Sequence, residues 1–276
     1  MSEKNMSAFE KRVWKDKWLN GSVFRHGRLQ GCLVTSKNSG THWIKYMLSV
    51  ALADTYCVEP PKYFSEAATQ NYIGSPKHVS PFAALPPLAF AHTIPHALFD
   101  QAFLHEAFNL PPYVLQVRHP MQILASHFTK WNYELQTDWM TYLKGDPAGD
   151  IYRCDLYWLA RFWNRWGELS ARFPEKILRI QYEEVQADAR KALEAISSHW
   201  KLNLKPESID LALKEGTKEA MALKIDPQAE KNVLQQRSDS LEELFSGEAL
   251  SLYQDIVGEI FQYDLGYDLM ALPVKR

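Results

Sequence analysis

Ser39, Gly40 and Thr41 lie where an apolar run gives way to an amphipathic one, and that junction has the chemistry of an anion cradle. Residues 31–35, Gly-Cys-Leu-Val-Thr, read as a strand, 36–40 are small and polar, and Thr41 opens a helical pattern. The first turn of such a helix carries unpaired backbone N–H groups and the positive end of the helix dipole, which together attract a phosphate. Ser39 and Thr41 add hydroxyl donors, and Gly40 lets the backbone approach closely. Lys37, Asn38 and His42 stand beside them, offering a cation, an amide and an imidazole.

A second group of residues fits the same chemistry. The strand-like run 112–117 leads directly into Arg118, Pro120 suits the first position of a helix, and Ser126 follows eight residues after Arg118. Eight residues is a little over two helical turns, so an arginine at a strand end and a serine on the next helix could converge on one anion. The planar guanidinium, always charged, grips phosphate in bidentate fashion. His92 ends a further strand-like run, 88–92, and an imidazole with a pKa near ~6.5 is suited to deprotonating a hydroxyl at neutral pH. His96, four residues on, is the reserve candidate.

These residues need a scaffold that brings several strand ends to one edge. The pattern predicts helices over 7–19, 41–56, 98–108, 122–131, 150–173, 187–200, 206–221 and 247–261. Strands are expected over 31–35, 88–92, 112–117 and 176–181, with loops over 57–87 and 132–150. Alternation of strands with helices gives an α/β fold: a single domain over 1–276 with a central parallel sheet, helices on both faces and a P-loop-like strand–loop–helix. In such sheets ligands bind beyond the carboxyl ends of the strands, where 36–41, His92 and Arg118 all fall.

The loop is not a Walker A sequence, which requires G-x-x-x-x-G-K-[ST]; no glycine leads it, and Thr41 occupies the place of the lysine after its second glycine. It resembles instead the loop of the sulfotransferase superfamily, commonly T-Y-P-K-S-G-T-T-W, with Thr35, Ser39, Gly40, Thr41 and Trp43 matching. Asn38 stands where the superfamily carries lysine, with Lys37 one place earlier, and His42 replaces the second threonine. The segment from Arg118 to Ser126 resembles the second motif, R-[ND]-P-x-[DE]-x-x-x-S. Tyr182-Glu183-Glu184 is similar to K-Y-E-D, His92 with Pro95 to T-H-x-P one residue longer, and Arg237 with Phe245 to the C-terminal R-K-G-x-x-G-D-W-x-x-x-F.

The resemblance implies a small-molecule enzyme that uses 3′-phosphoadenosine 5′-phosphosulfate (PAPS) as co-substrate, releases 3′-phosphoadenosine 5′-phosphate (PAP) and needs no metal. By the same likeness, the cofactor would be held by Lys37, Asn38, Ser39, Gly40, Thr41, His42, Trp43, Arg118, Ser126, Tyr182 and Arg237. Arg118 and Ser126 would meet the 3′-phosphate, Trp43 would stack on the adenine, and His92 would take the acceptor's proton. Lys37 is expected to reach the bridging oxygen in place of the lysine missing at position 38.

A formal net charge of −2 over 276 residues argues against wholesale nucleic-acid or anionic-membrane binding. The three cysteines, at unrelated spacings, point to a reducing cytoplasm, and no apolar run reaches the ~20 residues of a membrane span. Acidic residues Glu134, Asp138, Asp146 and Asp150 in one expected pocket wall, 132–153, suit a polar or guanidinium-bearing natural product as acceptor, for O- or N-sulfation. Two other readings carry less of the pattern: a PAPS-binding homologue without turnover, motivated by Asn38, and a P-loop phosphotransferase, for which a GK[ST] loop and a Walker B aspartate are both missing.

Overall fold

The computed structural model describes residues 6–227 and 240–273; Arg237 lies outside them. Helix α1 (Ala8–Leu19) begins in a reciprocal capping box, where the Glu10 N–H donates to Ser7 Oγ and the Ser7 N–H to Glu10 Oε2. A 3₁₀ turn (Gly21–His26) leads to β1 (Gly31–Thr35), and the loop that follows opens α2 (Thr41–Thr55). The proline-rich stretch that follows contains only a short α3 (Glu66–Thr69) and β2 (Ile73–Gly74). Then come β3 (Leu88–Ala91), a 3₁₀ turn (Ala97–Asp100), α4 (Ala102–Ala107), β4 (Tyr113–Val117) and α5 (Pro120–Leu135). Beyond these lie α6 (Trp139–Lys144), α7 (Leu156–Arg172), β5 (Ile177–Gln181), α8 (Tyr182–Ala187) and α9 (Ala189–Trp200). The last helices are α10 (Pro206–Glu215), α11 (Lys218–Ala222), α12 (Leu241–Leu244) and α13 (Gly247–Ile260).

All strand pairings are parallel, in the order β2-β3-β1-β4-β5. The strands are apolar on both sides because both faces are covered. Cys32 and Val34 with Tyr113, Leu115 and Val117 pack against α5, α7 and α13, whereas Leu33 and Val114 pack against α2, α9 and α10. The expected α/β architecture is therefore the one observed.

Some expected boundaries move, each for a local reason. The span 132–150, read as irregular, holds the end of α5 and all of α6, which Asp138 caps by accepting from the Thr141 N–H at 2.9 Å. Helix α7 starts at Leu156 rather than near 150, because the buried Asp155 caps it through the Trp158 N–H at 2.8 Å and also accepts from the Asp146 N–H at 2.6 Å. The helix expected over 206–221 breaks at Gly216. No helix among the described residues is long and apolar enough to cross a membrane.

Candidate active site

The register aligns Val34 with Ala91 and Thr35 with Gln116, so the ends of β3, β1 and β4 deliver His92, the loop 36–40 and Arg118 to one edge of the sheet. The loop is shaped by its own polar groups. Ser39 Oγ donates to the Ser36 carbonyl at 2.6 Å, and buried Gln116 on β4 donates through Nε2 to the Ser39 carbonyl at 2.5 Å. Asn38 adopts the left-handed conformation (φ 56°), which asparagine tolerates better than most residues. Gly40 caps α2 at φ 86° and no side chain caps the helix in its place. Its missing β-carbon leaves room for the Tyr182 ring, whose Cδ2 would lie 2.5 Å from one. The conformation and the close approach both require glycine.

Thr35 connects this cradle to His92. Its hydroxyl lies 2.8 Å from Thr41 Oγ1 and 3.0 Å from His92 Nδ1, and its carbonyl accepts from His92 Nδ1–H at 2.8 Å. That bond assigns the ring proton to Nδ1 and leaves Nε2 as the acceptor. Burial, reinforced by Lys37 and opposed by the Thr35 carbonyl, holds the His92 pKa below its ordinary value, so the ring is neutral. The chain after His92 is anchored by α7: Trp166 Nε1–H donates to the Thr93 carbonyl at 2.8 Å and Arg165 Nε–H to the Pro95 carbonyl at 3.0 Å. His96 is occupied at both nitrogens, accepting from the Leu98 N–H at Nδ1 and donating from Nε2 to the Trp18 carbonyl, whereas the bonds described for His92 are at Nδ1.

Arg118 donates from Nε to Gln122 Oε1 at 2.8 Å and from Nη1 to the Asn38 carbonyl at 3.2 Å, with its guanidinium carbon 4.4 Å from the centre of the Tyr182 ring. Gln122 lies one turn before half-buried Ser126 on α5, so the two share a helix face with Arg118 at its start. Tyr182, the first residue of α8, thus touches both the first loop and Arg118, and Trp43 meets its ring edge-on at 6.1 Å between centres. The Trp43 indole N–H donates to the Gly216 carbonyl at 2.8 Å.

The profile of the sulfotransferase family matches residues 33–206, more than half of the chain. The chain belongs to that family. Among solved structures it is similar to mouse sulfotransferase SULT7A1 complexed with PAP, at 15% identity and a TM-score of 0.52, over 91% of this chain and 92% of that one. It is also similar to retinol dehydratase in a complex with retinol and PAP, at 14% identity and a TM-score of 0.49, over 89% and 86% of the two chains. Comparison of the sequence with curated proteins found no match.

This sulfotransferase differs from the sequence expectation at Lys37. Its ammonium donates to the Arg153 carbonyl and lies 4.5 Å from the centre of a Trp158 ring, so it is turned toward the start of α7 and does not extend along the loop. Asn38, at the superfamily's lysine position, donates from Nδ2 to His127 Nδ1 at 2.7 Å. Burial, with help from Lys37 and Lys130, lowers the His127 pKa to about 3 and keeps that ring neutral. His42, half-buried near Lys130, Lys45 and His92, is lowered to about 4, chiefly by burial.

Sequence reasoning missed four residues here: Gln116, Gln122, His127 and Lys45. Only Lys45 carried a clear sequence signal, being the single charge in the buried run Ile44 to Leu48 on α2. Its side chain is 0% exposed, its ammonium has no hydrogen-bond partner, and it lies 3.5 Å from the centre of the Phe90 ring. Ser36 Oγ and Gln116 Oε1 are likewise buried without a partner. Three polar atoms on β4, on α2 and in the loop between β1 and α2 are therefore buried without a hydrogen-bond partner: Gln116 Oε1, Lys45 Nζ and Ser36 Oγ.

The acidic residues of 132–153 are largely engaged in local structure. Asp138 caps α6, Asp146 accepts from the N–H groups of Ala148, Asp150 and Ile151, and Asp150 pairs with Arg12 at 3.6 Å. Phe245 packs into the core against Trp139 and Tyr253.

Proposed function

We propose that this chain moves a sulfuryl group from PAPS to a hydroxyl, or to an amine or carbamoyl nitrogen, of a small-molecule acceptor, with His92 as the base. The observation that carries the reading is the His92–Thr35 pair: an imidazole with its proton fixed on Nδ1 and Nε2 open, one hydroxyl away from the head of the anion-binding helix. PAPS supplies the activated sulfuryl group and a phosphate leaving group, transferred in line by analogy with phosphoryl transfer. The loop 36–41 and the α2 N-terminus orient its 5′ end, and Arg118 with Ser126 holds the 3′-phosphate. Tyr182 and Trp43 bound the nucleotide from the side, and His92 Nε2 accepts the proton of the attacking group. Burial keeps His92 and His127 neutral, and the charge of Lys37 acts in the same direction on both.

In the same reading the whole chain is one domain, Arg237 belongs to the nucleotide site, no metal is needed, and the protein works in a reducing cytoplasm, where its cysteines, all free, are stable. A cationic, guanidinium-bearing acceptor has lost support from Asp138, Asp146 and Asp150, so a neutral polar acceptor fits better. The test is calorimetric titration with PAP and, in parallel, ATP, each with and without magnesium. Metal-independent binding of PAP that is lost in Arg118→Ala supports the reading and justifies an acceptor screen with PAPS. Preference for magnesium-ATP would overturn it in favour of phosphoryl transfer, and PAP binding without turnover of any acceptor would favour an inactive homologue.

A further inference from the structure

Among the described residues, Lys45 is a buried cation near the cradle that the roles above leave unused. It follows Thr41 by four residues, so both lie on one face of α2, and helical side chains lean toward the N-terminus of their helix. Its ammonium is thereby carried toward the end at which Thr41 bonds Thr35. Across from it stands Phe90, two residues before His92 on the same side of the β3 line, with its ring 5.9 Å from the His92 ring. A lysine that is fully buried, lacks any hydrogen bond and rests on an aromatic face is an expensive arrangement unless an anion completes it.

We propose that Lys45 supplies the positive charge for the 5′-phosphate of the bound nucleotide, standing in from one helical turn away for the lysine that the first loop lacks at Asn38. The inference rests on the sulfotransferase reading of the site. Charge on the departing phosphate is then met by the α2 N-terminus together with Lys45, while Lys37 stays on the Arg153 side. The groups facing Lys45 are Glu66 on α3, which favours its charged form, and His42 and His92, both kept neutral. Burial lowers the Lys45 pKa to about 8, so a bound phosphate would raise it and draw in a proton.

The test compares PAP, 5′-AMP and 3′-AMP binding to the wild-type chain, Lys45→Met, Lys45→Arg and Arg118→Ala. Lys45→Met should weaken PAP and 5′-AMP about tenfold to hundredfold, leave 3′-AMP within about twofold, and hold or raise the melting temperature, since a buried unpaired charge is removed. Arg118→Ala should show the reverse nucleotide preference. A lysine needed only for structure would instead lower the melting temperature without distinguishing the nucleotides. Should Lys45→Met fail to fold, proton exchange decides: titration of the wild type with PAP at pH 8.5 in two buffers of different ionisation enthalpy should show proton uptake, and Lys45→Arg, permanently charged, should bind without it. Equal PAP affinity in Lys45→Met, or no proton uptake by the wild type, overturns the role of Lys45 and leaves the sulfotransferase reading standing; failure of the wild type to bind PAP overturns both.

Discussion

The ring of Tyr182 covers Gly40, so that a β-carbon at position 40 would sit 2.5 Å from its Cδ2. Gly40→Ala would have to displace that ring and hold an L side chain at φ 86°. The expected loss is about 2–4 kcal/mol of stability, together with nucleotide binding, because Tyr182 would swing off Arg118 as well. Denaturant melts and PAP titration check this; an unchanged midpoint would show that the ring has room to move.

His92→Gln should leave PAP affinity within about twofold and reduce acceptor turnover by about 10²–10⁴. In the wild type the lowered His92 pKa places the acidic limb of the rate profile below the ordinary histidine range, so activity should persist under pH 6.5. A limb at or above that value would mean that another group supplies the base.

Arg118→Lys keeps the charge and loses the geometry. Lysine cannot reproduce the paired bonds to Gln122 and the Asn38 carbonyl or lie flat on Tyr182, so PAP should bind at least about tenfold more weakly. Calorimetry against wild type reads this directly, and equal affinity would reduce Arg118 to a point charge.

Acid should destabilise the fold through histidines held neutral. His26, bonded to Tyr113 Oη at 3.0 Å, is lowered by burial to about 4, and His127 to about 3. The unfolded chain binds these protons near pH 6.5 and the folded chain does not, so stability is complete above that pH. It falls by up to about 1.4 kcal/mol per unit for each ring between there and the folded values. His26→Phe should flatten that slope in melts taken from pH 7 to 4.5; an unchanged slope would place the acid sensitivity elsewhere.

The sequence was most readable where local pattern and tertiary demand agree. Residues 31–35 are a strand at those bounds because their apolar run is buried on both faces, and the loop after them needs Gly40 whatever surrounds it. Side-chain direction was less readable. Lys37 is turned by the Arg153 carbonyl and Trp158, more than a hundred residues downstream, and no local rule encodes that choice. Asp138 and Asp146 read as an acidic wall until their caps and turns are seen, since the same carboxylate serves either purpose. His127 passes for filler on α5 because its partner, Asn38, is distant in the chain. Lys45 stands out as the single charge in the apolar run from Ile44 to Leu48, although its meaning needed Phe90 and His92 beside it.

The parallel register of β3, β1 and β4 also sets a scale. His92 and Arg118 leave strands that flank β1, so their backbones are about two inter-strand spacings apart, on the order of 10 Å. The hydrogen-bonded ladder of β3, β1 and β4 sets that interval. Substitution can therefore change which chemical group stands at each end, while the span between them stays as fixed as the marks on a ruler.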